Sequence, residues 1–134
     1  MKLMYCSVNA FFQEKLKDLS CQPETKAYII SIYDKYKNSN FDFSKENVTL
    51  LFIEAKEKHS FASYQNIGDW IFFSNTFAPK HLNKASKEYY DNLGMISYGA
   101  CYNLINRQWK LFQELSDNFI TLEEQVKIKL EDIK

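Results

Sequence analysis

The stretch Ser44-Lys-Glu-Asn-Val48-Thr-Leu-Leu51-Phe52-Ile-Glu-Ala55-Lys-Glu-Lys58 decides the fold class. Val48, Leu51, Phe52 and Ala55 stand at i, i+3, i+4 and i+7, the spacing of a single helical face. Ser44 reads as the N-cap, Glu46 as a first-turn acid, and Lys56-Glu57-Lys58-His59 as the charged end.

The same rhythm extends in both directions. Upstream, Val8, Phe11, Phe12, Leu16 and Leu19 mark a first helix, and Pro23 with Glu24 suits the first turn of a second. Ala27, Ile29, Ile30, Tyr33 and Tyr36 give that helix a broad apolar face before Asn38-Ser39-Asn40 breaks it. Downstream, Ser60 caps a helix carrying Tyr64, Ile67, Ile71 and Phe72 that stops before Pro79. Asn83 or Ser86 starts the next, with Tyr89, Tyr90, Leu93, Ile96 and Leu104. A last helix runs through Trp109, Phe112, Leu115, Phe119, Leu122 and Val126. Strict two-residue alternation persists nowhere. The expected fold is all-α, one domain over residues 1–134, a bundle of about six helices.

Composition agrees with that class. The chain has 134 residues with only three glycines and two prolines, too few for the turns of a many-stranded barrel or sandwich. Hydrophobic residues make 46% and formal net charge is zero, which excludes a disordered chain. Seventeen basic residues include a single arginine, Arg107, which speaks against sequence-specific nucleic-acid binding. No apolar run is long enough to span a membrane. Leu3 to Phe12 reads as part of the fold and not as a leader, so the expected compartment is the cytoplasm. Cys6, Cys21 and Cys101 are odd in number and far apart, as befits reduced thiols.

Several chemistries lack their motifs. There is no glycine-rich phosphate loop and no G-x-S-x-G elbow. No Glu-x-x-His occurs, His59 and His81 lie off the helical faces, and neither a metal nor a cofactor is expected.

Asp69 stands out, set between Ile67 and Ile71 where other charge is scarce. A carboxylate in such surroundings acts either as an acid, base or anchor for a ligand, or as a packing group bonded to Tyr, Trp or a helix end. Gly94, Ser97 and Cys101 form a small-residue face suited to close helix contact.

The segment Tyr64-Gln-Asn-Ile67-Gly68-Asp69-Trp-Ile-Phe72-Phe73, followed by Phe77, Leu82, Tyr89-Tyr90, Gly94 and Ser97-Tyr98, resembles a family of uncharacterised helical bacterial proteins. That family carries Leu-Gly-Asp, a Phe-rich stretch, a Tyr-Tyr pair, then Met-Gly and Ala-Tyr. Here Ile67 replaces the Leu and Ser97 the Ala. The resemblance implies no activity. It groups Gly68, Asp69, Tyr89, Tyr90, Gly94 and Tyr98 as one candidate ligand-binding unit.

Two functional expectations follow. One is a non-enzymatic helical module that binds a protein partner or forms a homodimer. The other is a small-ligand protein or enzyme with an aromatic pocket between 61–77 and 86–105, where Asp69 serves as acid, base or anchor.

Overall fold

The structure is a computed structural model that describes residues 13–37, 47–77 and 85–131. Six helices lie within these residues, and a helical stretch over 13–16 precedes them. They are α1 (Pro23–Lys37), α2 (Val48–Lys58), α3 (Phe61–Phe77), α4 (Lys87–Leu104), α5 (Lys110–Asp117) and α6 (Phe119–Glu131). No strand occurs among the described residues, so the all-α bundle expected from the apolar spacing is what forms.

Local chemistry sets the helix ends. Pro23 opens α1 with Glu24 in its first turn, where a missing N–H costs nothing and an acid meets the positive end of the dipole. Asn47, not Ser44, caps α2, its side chain accepting from the Leu50 N–H at 3.1 Å. Ser44 itself lies outside the described residues. α2 ends at His59, which takes a left-handed conformation (φ 50°) and lets the Ser60 N–H reach the Ala55 carbonyl. Ser60 caps α3 through the Ser63 N–H at 3.2 Å, and Ser86 caps α4 through the Tyr89 N–H at 3.1 Å. The other proposed start, Asn83, falls outside the described residues, as do Val8, Phe11, Phe12 and the Asn38-Ser39-Asn40 break.

The single last helix expected from Trp109 to Val126 is two helices. Asn118 leaves helical geometry (φ −113°, ψ 22°) and separates α5 from α6. Its N–H still bonds the Glu114 carbonyl and its own carbonyl takes the Leu122 N–H, so the chain bends with little loss of hydrogen bonding. Trp109 precedes α5 as its N-cap.

α3 is the centre of the bundle. Every residue from Ile67 to Thr76 is buried, all round the helix, because α1, α2, α4 and α6 pack on different sides of it. Aromatic rings interlock the layers: Phe72 of α3 meets Phe119 of α6 edge-on at 5.5 Å, and Phe61 of α3 meets Phe112 of α5 at 5.2 Å. Cys21 and Cys101 are free thiols, and burial pushes the Cys101 thiol up to about 12.

Candidate functional site

Helix α3 carries two buried polar clusters, each drawing partners from two other helices. The first is built on Asp69. Its carboxylate is 3% exposed and accepts hydrogen bonds on Oδ1 from Tyr28 of α1 at 2.7 Å and Tyr98 of α4 at 2.6 Å. Gln65, one turn earlier on α3, donates to the Tyr28 hydroxyl at 2.9 Å and completes the chain of bonds. The Lys35 ammonium stands 3.8 Å from Oδ2, held at the surface by Asn66 Oδ1 at 2.9 Å.

Burial raises the Asp69 carboxyl to about 6, although the Tyr98 and Tyr28 hydroxyls and Lys35 all favour the charged form. Loss of hydration therefore outweighs two strong hydrogen bonds and a half-solvated cation. The two phenols respond in kind, with burial and the neighbouring carboxylate pushing both far above their ordinary value.

Gly68 explains how Tyr98 gets so close. A Cβ on Gly68 would sit 2.7 Å from Tyr98 Cε1, so the missing side chain is the space the ring occupies. Gly94 does the same for α6, where a Cβ would come within 2.8 Å of Phe119 Cε2. The small-residue face of Gly94, Ser97 and Cys101 is buried, and at Gly94 it receives an aromatic ring.

The structure thus brings Gly68, Asp69 and Tyr98 into direct contact. It puts Gly94, one turn earlier on α4, against α6, and it does not bring Tyr89 or Tyr90 to Asp69. Tyr89 is 38% exposed and its hydroxyl bonds Thr49 of α2. Tyr90 is buried, with its ring edge-on to Tyr89 at 5.8 Å. Tyr28, Gln65 and Lys35 belong to the cluster and were missed. Tyr28 is not among the residues read as the apolar face of α1, and nothing in sequence measures the distance from α1 to α3.

The second cluster escaped the sequence reading entirely. Asn75 of α3 donates from one amide nitrogen to Asp91 Oδ1 of α4 at 2.9 Å and to Glu123 Oε2 of α6 at 2.8 Å. Lys87 Nζ lies 2.6 Å from Asp91 Oδ2 and 3.6 Å from Glu123 Oε1. Glu123 is fully buried, and burial together with the adjacent Asp91 carboxylate drives its pKa well above the usual carboxylate range. Burial opposes the Lys87 ammonium, but Asp91 and Glu123 outweigh it and strengthen its charged form. A signal existed: Glu123 occupies the apolar stripe of Phe119, Leu122, Val126 and Leu130, and Lys87 stands four residues before Asp91.

Two surface grooves flank α1. The larger, about 700 Å³, is lined by Gln22 to Thr25 and by residues of α5. The smaller, about 400 Å³, runs between Gln13 and Asp34. Neither is lined by Asp69, Tyr98, Asp91 or Glu123. Among the described residues, no group of three or more His, Cys, Asp or Glu is placed to hold a metal ion. No described helix is long and apolar enough to cross a membrane.

Compared with known protein families, curated proteins and solved structures, the chain gives no match.

Proposed function

We propose that this chain is a helical interaction module that acts through its outer surface, by binding a protein or a second copy of itself. The observation that carries the reading is Tyr98. Its ring fills the space over Gly68 and its hydroxyl bonds Asp69, so the interface between α3 and α4 is occupied by the protein's own side chains. Both glycines grouped by the family resemblance as ligand-binding, Gly68 and Gly94, meet rings in the same way. Asp69 spends Oδ1 on two phenols and faces Lys35 with Oδ2, which is the bonding of a packing network. Meanwhile large apolar side chains remain outside, among them Leu50, Ile96, Leu104, Trp109 and Ile128.

Native mass spectrometry of protein purified without added cofactors tests the reading. Subunit mass with no adduct, or an assembly of whole chains, is the expected result. A reproducible extra mass that disappears in Asp69→Asn while the fold persists would overturn it in favour of a ligand held between α3 and α4.

A further inference from the structure

The turn between α4 and α5 leads directly into Lys110 and Leu111, which line the larger groove. Asn106 (φ 57°) and Arg107 (φ 59°) are consecutive non-glycine residues in the left-handed region, a conformation L side chains adopt at a cost. Hydrogen bonds over-determine it. The Arg107 N–H reaches the Tyr102 carbonyl at 2.9 Å, and the Asn106 N–H reaches that of Asn103 at 3.1 Å. Arg107 Nε donates to Asn103 Oδ1 at 3.2 Å, which orients the guanidinium and leaves its two terminal nitrogens without a partner among the described residues. This is the chain's sole arginine, exposed and pre-set as a fork for a carboxylate.

The groove next to it supplies carboxylates. Glu24 and Glu114 both line it. Glu24 Oε1 accepts from the Trp109 indole and Glu114 Oε1 from the Gln22 N–H, so each acid is fixed by one oxygen and keeps the other. Lys110 also lines the groove, but its ammonium turns toward Tyr102, 3.4 Å from the hydroxyl. Thr25 lines the groove as well, fully buried, with a hydroxyl that finds no hydrogen-bond partner. Trp109, 43% exposed and bonded to Glu24 of the groove, adds apolar surface, and tryptophan and arginine are among the residue types that dominate interface energetics.

We infer that this patch is the docking surface for a second copy of the chain, with Arg107 of each copy seated between the Glu24 and Glu114 carboxylates of the other around a twofold axis. A patch that carries both a basic fork and an acidic groove is its own complement, and an isologous pair satisfies both at once. The balance of charge speaks against one competing occupant: one arginine and a net charge of zero offer little to a nucleic acid. The inference rests on the interaction-module reading and specifies its partner.

Sedimentation analysis of the full chain at about 100 µM tests it, since a micromolar pair is then mostly dimer. Wild type is expected to sediment as a dimer. Arg107→Glu should weaken association at least tenfold, as should Glu114→Arg. An equimolar mixture of these two variants should regain part of the dimer, because one Arg107 again meets both carboxylates and the reversed pair at 107 and 114 is again opposite, leaving a single like-charged contact at Glu24. Glu114→Arg removes the Gln22 contact, so melting curves accompany each variant. Arg107→Glu, which gives up only the Asn103 bond, decides the matter if Glu114→Arg unfolds. A wild-type monomer at this concentration overturns the inference. A dimer indifferent to Arg107→Glu overturns this surface and leaves the interaction-module reading standing. A bound small molecule lost with Asp69→Asn would remove that reading instead.

Discussion

Tyr98 reaches Asp69 with its hydroxyl at 2.6 Å while its ring lies where a side chain on Gly68 would be. Chain neighbours on α3 are thus read by one residue of α4, the first by shape and the second by hydrogen bonding. The glycine costs α3 about 1 kcal/mol of helix propensity, and the approach it permits gives the buried carboxylate one of its two strongest partners.

That relationship sets the outcome of glycine substitutions. Gly68→Ala gains propensity but drives a methyl to within 2.7 Å of the Tyr98 ring. Overpacking costs about 1–3 kcal/mol against about 1 kcal/mol of propensity gained, so a net loss of up to about 2 kcal/mol is expected in urea unfolding. Gly94→Ala should behave alike against Phe119. Gly99→Ala meets only Ser116 Oγ at 3.2 Å and should be close to neutral. Equal effects at Gly68 and Gly99 would show that the Tyr98 contact does not limit packing.

The Asp69 carboxyl, raised by burial to about 6, makes stability depend on pH with a definite sign. Between the unfolded value near 4 and about 6, the folded chain holds a proton that the unfolded chain has released. The contribution is therefore full in acid and is lost as pH rises through about 6, a swing on the order of 3 kcal/mol. Asp69→Asn cannot titrate. The stability of the variant relative to wild type should improve by that order from pH 4 to pH 8, read from denaturation midpoints. A difference that stays flat across this range would mean that Asp69 is not held in a desolvated site.

Tyr98→Phe separates ring from hydroxyl. The ring remains over Gly68, and Asp69 loses one of its two phenol donors. A hydrogen bond to a charged group is worth about 1.5–3 kcal/mol, and here it is made to the ionised form. The variant should lose about that much at pH 8 and less at pH 4.5, and the Asp69 carboxyl should titrate still higher than in wild type by carbon-detected NMR. An unchanged midpoint would show that the hydroxyl does not hold the charge.

Much of this fold could be read before the structure. The spacing of Val48, Leu51, Phe52 and Ala55 gives α2, and Ser60 and Ser86 do cap α3 and α4. The split at Asn118 stayed hidden because its apolar neighbours Leu115, Phe119 and Leu122 keep one helical phase through the break. Asp69 was visible as a charge among apolar residues, whereas Tyr28 and Gln65 were not, because an amphipathic pattern fixes which face is buried and not which helix lies opposite. Asn75 is the clearest case. In sequence it is a polar residue near a helix end, and only the packing of α4 and α6 on either side makes it the bridge between two carboxylates.

Asn75 carries the final prediction. Its amide donates to both Asp91 and Glu123, and Lys87 contacts both carboxylates from the solvent side. Two carboxylates against one ammonium leave a buried excess of negative charge, which the pair relieves by retaining a proton, and Glu123 is the group pushed upward. Glu123→Gln mimics the protonated form in shape and charge, so it should keep the fold near neutral pH and flatten the loss of stability that wild type shows as pH rises from the ordinary carboxylate value through the raised value of Glu123. Asn75→Leu instead removes the shared donor and leaves both acids short of a partner, which should cost about 1.5–3 kcal/mol or more, the worth of a hydrogen bond to a charged group. Combining the two substitutions should cost less than their sum, because the amide has less to neutralise once Glu123 is uncharged. Strict additivity in that double-mutant cycle would mean that Asn75 and Glu123 do not act as one network.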